Sequence, residues 1–171
     1  MLLRPESVHS EVEAMGKKTP DQWFAEYGEC HQNRTNKKIH WICVPMIAAS
    51  LLALLWDIPT PAFMHQVPYL NWSTVVVSVS LIYYFRLSMT LAIGMLAFSI
   101  AVIAMIIAFQ RLNVMPVWQF ALVLFAAAWV GQAIGHSIEG KKPSFFTDLT
   151  FLLIGPIWLL SSVYRRLGIP Y

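Results

Sequence analysis

The feature that most limits the possible folds is a 23-residue stretch, residues 87–109, without a single charged side chain. An apolar helix of about 20 residues is long enough to span the hydrocarbon core of a bilayer. Three further stretches are similarly apolar, and they cover residues 39–56, 70–85 and 116–135. Only 12% of all residues are charged, which is about half of the fraction in soluble domains. The sequence therefore predicts an all-α integral membrane protein with four transmembrane helices.

A fifth apolar segment, residues 145–164, contains Asp148 and a Gly-Pro pair at 155–156. It is compatible with a full span, a re-entrant hairpin or a tilted interfacial helix. Cytoplasmic loops carry an excess of basic residues. With the N-terminus inside, nine basic residues before, between and after the four spans are cytoplasmic, and only Arg111 is outside. The two arginines after the fifth segment fit this orientation if that segment does not cross. The pattern therefore favours a re-entrant or interfacial segment and a cytoplasmic N-terminus.

The chain is predicted to form one membrane domain, residues 1–171. Residues 1–18 are a polar tail without the apolar core of a signal peptide. Residues 19–38 are expected to form an amphipathic N-terminal helix at the membrane surface, followed by a turn. Residues 39–164 then form the helical membrane bundle.

Local signals set the limits of the amphipathic helix. Thr19 and Gln22 flank Pro20 in the pattern of a capping box, which predicts a helix start. The polar run 33–36 is expected to end this helix. Asn36 is then a candidate cap for the first span.

Three histidines lie where the topology can bring them together. His31 precedes the first span, His40 lies at its start, and His136 lies at the end of the fourth. Four crossings return the chain to its starting side, so all three imidazoles can lie at one membrane face. Imidazole is the commonest metal ligand in proteins. One continuous helix would place His31 and His40 on opposite faces, but a turn between them removes this problem. The alternative for His31 and His40 is a pair of interfacial histidines in the wet, basic N-terminal region.

Other polar residues accompany the third histidine. Gln132 precedes His136 by four residues and Glu139 follows it by three, so all three share one helix face. Gly131 and Gly135 are small residues that let another helix backbone approach closely, and plain packing explains them equally well. His136 and Glu139 are alternatively an interfacial pair that reaches the headgroups. The cost of ionisable groups in spanning segments argues against that alternative.

The remaining titratable residues are weaker candidates. Asp148 can orient a metal-bound histidine, but a helix cap or a pair with Lys141 or Lys142 explains it better. His65 belongs to the opposite face and His9 to the polar tail, so neither is expected at the centre. Imidazole-rich coordination suits iron, zinc, copper or nickel, and the spacing does not select one of them.

Two motifs resemble those of a known family. The first is the stretch 31–40, which reads HQNRTNKKIH and is followed by a Val-Pro pair. The second, at the end of the fourth span, consists of Trp129, Gln132, Gly135, His136, Glu139, Lys141, Lys142 and Pro143. Over about residues 20–160 the chain is similar to the Mpo-type 2-hydroxy fatty acid dioxygenases.

The resemblance implies an Fe(II)-dependent enzyme that uses O2 to shorten a long-chain 2-hydroxy fatty acid by one carbon. The iron ligands correspond to His31, His40 and His136, and Glu139 joins them among the catalytic residues. The residues expected beside the metal or the substrate are Asn36, Gln132, Lys141 and Lys142. Two positions depart from the fungal pattern. Gln32 replaces a histidine, and Glu139 follows His136 by three residues instead of four.

The expected partners are the 2-hydroxy fatty acid, O2 and membrane lipid. No nucleic-acid partner is expected, and the sequence leaves the oligomeric state open. The short polar tails favour a bacterial inner membrane over the endoplasmic reticulum. Two rival classes are a haem-binding membrane protein with two axial histidines and a non-catalytic scaffold or transporter. Transport is disfavoured because the polar residues group at one face rather than at the midplane.

Overall fold

A computed structural model of the protein describes residues 19–29, 31–140 and 145–171, with the backbone alone for residues 145–151. This part of the chain is all-helical, as predicted. Its six α-helices are α1 (Pro20–Glu29), α2 (Arg34–Trp56), α3 (Trp72–Leu87), α4 (Met89–Leu112), α5 (Val117–Glu139) and α6 (Phe145–Leu167). A short 3₁₀ helix, Ala62–Gln66, lies between α2 and α3.

The four predicted spans correspond to α2, α3, α4 and α5. Of these, α2, α4 and α5 are each long and apolar enough to cross a membrane. α3 is apolar too but has only 16 residues, or about 24 Å at the rise of an α-helix. The hydrocarbon core of a bilayer is roughly 30 Å thick. Length and composition thus support three spans, and a fourth crossing by α3 stays a prediction.

α2 and α5 lie antiparallel and are in contact at both ends. At one end, the backbone N–H of Trp118 donates to Oδ2 of Asp57, at 3.0 Å. Toward the other end, Gly131 and Gly135 pack so closely against α2 that an added Cβ would overlap its side chains. The two glycines are therefore packing positions. We refer to the end of the bundle where α2 begins and α5 ends as the histidine end.

α6 lies across the histidine end instead of running along the bundle. The Tyr84 hydroxyl donates to the carbonyl oxygen of Leu153 at 2.9 Å, and the Tyr164 hydroxyl donates to that of Thr90 at 3.2 Å. Tyr84 and Thr90 flank the α3–α4 connection, whereas their partners lie about 16 Å apart along α6. Along a helix parallel to the bundle axis, successive contacts with α3 and α4 would lie further and further from the histidine end. These contacts fit the interfacial alternative for the fifth segment, whose position relative to the membrane stays a prediction.

The predicted break at Gly155-Pro156 is absent, since α6 is continuous from Phe145 to Leu167 with Pro156 inside it. The re-entrant hairpin is therefore wrong. Gly155 is buried, and a Cβ there would lie 3.1 Å from the Tyr27 hydroxyl and 3.3 Å from a Val44 methyl carbon. The glycine thus lets α6 pack closely on α1 and α2, and this packing stabilises a helix that proline alone would weaken.

α1 begins as the sequence predicts. The backbone N–H of Thr19 donates to Oε1 of Gln22 at 2.8 Å, and that of Gln22 donates to Oγ1 of Thr19 at 3.3 Å. These reciprocal bonds form the expected capping box. The buried side chains of Phe24 and Tyr27 pack with side chains of α3, α4 and α6. This core holds α1 against the histidine end.

The first span begins at Arg34 rather than at residue 39, so the predicted boundary and cap are wrong. Asn33, not Asn36, is the N-cap, and its side chain accepts hydrogen bonds from the backbone N–H groups of Thr35 and Asn36. Asparagine is a favoured cap because its side-chain oxygen satisfies these otherwise unpaired donors. Asn36 is consequently inside α2, where it faces α5.

Candidate metal centre

Three histidines meet at the histidine end. His31 precedes α2, His40 lies in its second turn, and His136 lies in the last turn of α5. The ring centroids of His31 and His40 are 4.3 Å apart, and His136 lies 5.4 Å from the first and 4.9 Å from the second. One potential ligand atom of each ring lies within 4.8 Å of the other two. Two nitrogens bound at about 2.1 Å to one ion are at most about 4.2 Å apart, so small side-chain shifts suffice to surround an ion.

Backbone hydrogen bonds fix the tautomers of the first two rings. Nδ1 of His31 lies 2.6 Å from the carbonyl oxygen of Tyr27, and Nδ1 of His40 lies 3.0 Å from that of Asn36. A carbonyl oxygen only accepts, so Nδ1 carries the proton and Nε2 keeps its lone pair. Both Nε2 atoms are buried and have no hydrogen-bond partner in the described part of the chain. Unpaired buried acceptors are costly, and one metal ion satisfies both.

The centre is more enclosed on one side than on the other. His31 and His40 are 2% and 0% exposed, whereas His136 is partly exposed. Burial is the main cause that lowers the pKa of His31 below its ordinary value. The imidazole of His31 is therefore neutral at neutral pH, which is the form that binds metals.

Glu139 connects the end of α5 to the turn between α1 and α2. Its carboxylate accepts hydrogen bonds from the backbone N–H groups of Gln32 at 2.7 Å and Asn33 at 2.9 Å. It also accepts one from the side-chain amide of Asn36 at 2.9 Å. The turn directly follows His31, so these bonds hold two of the histidine-bearing segments together. The catalytic role of Glu139 stays a prediction, and its contacts indicate positioning.

Asn36 fills the contact between α2 and α5. It is fully buried, and its backbone carbonyl orients His40. On α5 it faces Gly135, where an added Cβ would overlap the side-chain oxygen of Asn36. Asn36 thus lies beside the centre and contacts residues that shape the site, and its role toward the substrate stays a prediction.

Gly135→Ala is expected to displace Asn36 and thereby to disturb the centre. Overpacking of this kind costs about 1–3 kcal/mol, so we expect a lower melting temperature and a weaker affinity for metal. Gly28→Ala is the matched control, because a Cβ at Gly28 meets no atom of the described residues within 4 Å and alanine favours the helix by about 1 kcal/mol. Thermal unfolding and metal titration of both variants measure the effect. Equal melting temperatures and metal affinities of the two variants would contradict the packing described for Gly135.

Two aromatic side chains form a wall beside the histidines. The ring of Tyr27 stacks on His31, with centroids 4.2 Å apart and planes 9° from parallel. Trp158 of α6 lies 5.7 Å from His31 and 5.1 Å from Tyr27. Sequence analysis placed neither at the site. Tyr27 lies four residues before His31, and this spacing could have indicated that the two rings share one face. No local pattern connects Trp158 to either residue.

The remaining predicted residues fall into three groups. Gln132 lies partly buried on α5, one turn before His136, and its substrate role stays a prediction. His65 lies at the opposite end of the bundle, where Nε2 is 2.9 Å from Oγ1 of Thr60. Four further residues from the sequence analysis lie outside the described residues and side chains, namely His9, Lys141, Lys142 and Asp148.

The ring distances fit a single ion better than a haem. Two axial imidazoles on opposite sides of a haem iron have centroids about 6 Å apart, since each ligand nitrogen is about 2 Å from the metal. The three centroid distances here, between 4.3 and 5.4 Å, are all shorter. The arrangement therefore favours a non-haem centre.

Fold and site together define an all-helical protein with candidate membrane spans and a cluster of three histidines that can hold a metal ion. The family model described as 2-hydroxy-palmitic acid dioxygenase Mpo1-like matches residues 18–167. The chain belongs to this family, which confirms the resemblance of its two histidine motifs. No curated protein and no solved structure gives a significant match to the chain.

Proposed function

We propose that the protein is an Fe(II)-dependent dioxygenase that uses O2 to shorten a long-chain 2-hydroxy fatty acid by one carbon. The observation that carries this proposal is the histidine cluster, in which His31 and His40 have buried Nε2 lone pairs without partners among the described residues. The family match over most of the chain supports the class of reaction.

His31, His40 and His136 would hold the metal through neutral ring nitrogens. Three protein ligands leave coordination positions for small molecules, which is typical of catalytic rather than structural sites. When bound, ferrous iron would supply the redox chemistry that O2 requires, and a 2-hydroxy acid offers two adjacent oxygen ligands, a carboxylate and a hydroxyl. We propose iron rather than zinc because zinc has no redox chemistry.

The surrounding side chains exclude water and accommodate the acyl chain. Tyr27 and Trp158 cover the centre on the side of His31. Trp129 of α5 is 43% exposed, and it lies two turns before His136 on the same helix face. Each methylene that leaves water contributes about 0.8 kcal/mol, so the acyl chain binds along such apolar surfaces and long chains are favoured.

The polar residues of the two motifs have different tasks in this proposal. Asn36 and Glu139 position the histidines, because their side chains already bind each other. Gln132 contributes an amide on the face of His136 for the substrate. Lys141 and Lys142 attract the substrate carboxylate by their charge. The N-terminus and the centre are cytoplasmic, in a bacterial inner membrane or, alternatively, the endoplasmic reticulum.

Product analysis with the purified, Fe(II)-loaded protein tests the function. Under air, a 2-hydroxy fatty acid is expected to give the fatty acid one carbon shorter, with one O2 consumed per product. The balance then requires the removed carbon to leave as carbon dioxide, together with water. The 3-hydroxy isomer is the matched control, because its hydroxyl is not adjacent to the carboxylate. Equal conversion of both isomers, or conversion under nitrogen, would contradict the proposal.

A further inference from the structure

A basic pocket lies at the histidine end, between the first turns of α2 and the end of α6. Its volume is about 370 Å³, which is within the range of roughly 300–1,000 Å³ that is common for ligand sites. The residues that line it are Arg34, Lys37, Lys38, Trp41 and Arg166. Among the described residues, four cations and one indole therefore line the pocket, and no acidic residue does.

Two elements that are distant in sequence build this pocket. On α2, the lining residues occupy positions i, i+3, i+4 and i+7 from Arg34 and share one helix face, whereas Asn36 and His40 face α5. From α6, the guanidinium of Arg166 lies 5.8 Å from the centroid of the Trp41 ring, which is a cation–π distance. The pocket is thus separate from the metal centre, and the contact between Arg166 and Trp41 holds its two sides together.

The charges of the pocket are uncompensated within the described part of the chain. None of its four cations forms an ion pair there. Like charges in proximity repel one another by about 1 kcal/mol per pair at 4 Å even in water. A bound anion removes this repulsion, so the pocket is suited to an anionic ligand.

The position of the pocket indicates where that anion comes from. Arg34 is the first residue of a helix long and apolar enough to span a membrane, and Trp41 lies two turns further in. Basic residues followed by tryptophan mark the headgroup level of a membrane. Ile42, next to Trp41, is 64% exposed, and it offers an apolar surface beside the pocket. Basic pockets of this kind between membrane helices bind anionic headgroups.

We propose that this pocket binds the phosphodiester headgroup of an anionic phospholipid. The four cations contact the phosphate, and the acyl chains lie against the apolar surface of α2 beside Ile42. The bound lipid connects α2 and α6 on the side of the bundle away from the metal centre. This proposal does not depend on the enzymatic reaction.

Lipid binding by a charge-neutralised variant tests the proposal. Lys38→Gln with Arg166→Gln removes two of the four cations, and the control, Arg86→Gln with Arg165→Gln, removes two exposed cations outside the pocket. Native mass spectrometry of detergent-solubilised protein titrated with phosphatidylglycerol measures the affinity, with phosphatidylcholine as the neutral probe. At about 1 kcal/mol per basic residue, we expect about 25-fold weaker phosphatidylglycerol binding in the pocket variant and wild-type binding in the control.

Several outcomes would overturn the proposal. An equal loss of phosphatidylglycerol affinity in both double variants would show that binding depends only on the net charge of the protein. Displacement of the lipid by millimolar inorganic phosphate would show a site for free phosphate. Displacement by an equimolar 2-hydroxy fatty acid would show a site for substrate. If the double variant does not fold, the single variant Arg166→Gln tests the proposal. We expect it to bind phosphatidylglycerol about fivefold more weakly than Arg165→Gln does.

Discussion

Replacement of any one of the three histidines by alanine is expected to abolish turnover of a 2-hydroxy fatty acid. Each of His31, His40 and His136 provides one of the three potential ligands of the centre. Even the hydrogen-bond partners of metal ligands contribute about 10- to 100-fold to affinity or activity, so loss of a ligand should cost more than about 100-fold. Product formation under air with saturating Fe(II) measures this effect.

His65→Ala is the matched control for the three ligand variants. His65 is a histidine of the same chain, but it lies at the opposite end of the bundle and contacts Thr60. We expect its activity to equal that of the wild type. A variant of His31, His40 or His136 that keeps more than about a tenth of the activity while folded would remove that residue from the proposed ligand set.

Glu139→Ala is expected to reduce activity by about 10- to 100-fold through loss of metal affinity. The carboxylate holds the turn that follows His31 through two backbone N–H groups and Asn36. Without it, His31 is no longer fixed relative to His136. Excess Fe(II) should therefore restore much of the activity, because the ligands themselves remain. Metal titration and turnover at increasing Fe(II) concentration separate this loss from a loss of chemistry.

Glu29→Gln is the control for Glu139, because Glu29 is an exposed carboxylate at the end of α1. It should bind iron and turn over substrate as the wild type does. Glu139→Gln should be intermediate, since an amide oxygen accepts hydrogen bonds without the charge that strengthens them. A Glu139→Ala variant that binds iron normally but stays inactive would show instead that Glu139 takes part in the reaction itself.

The sequence predicts the helices that carry the centre better than the contacts between them. The apolar stretches give the helices, and the even number of apolar segments between His40 and His136 predicts that both lie at one end. The spacing of four and three residues around His136 correctly places Gln132 and Glu139 on its face of α5. These are local or topological properties, so composition and periodicity reveal them.

Contacts between distant segments are what the sequence does not reveal. The bond between Glu139 and Gln32 joins residues 107 positions apart, and no periodicity encodes it. Likewise, Gly155-Pro156 has the pattern of a helix break, yet α6 is continuous because Gly155 packs closely on Tyr27 and Val44. Tertiary packing also selects Asn33 over Asn36 as the cap of α2, since Asn36 is buried against α5.

The metal content of the purified protein tests the central claim most directly. After anaerobic loading with Fe(II) and removal of unbound metal, we expect one iron per chain. X-ray absorption should show three imidazole nitrogens at about 2.1 Å from it. Iron should be absent from His40→Ala and present in His65→Ala. A wild-type protein that retains no iron, or a His40→Ala variant that retains it fully, would contradict the account.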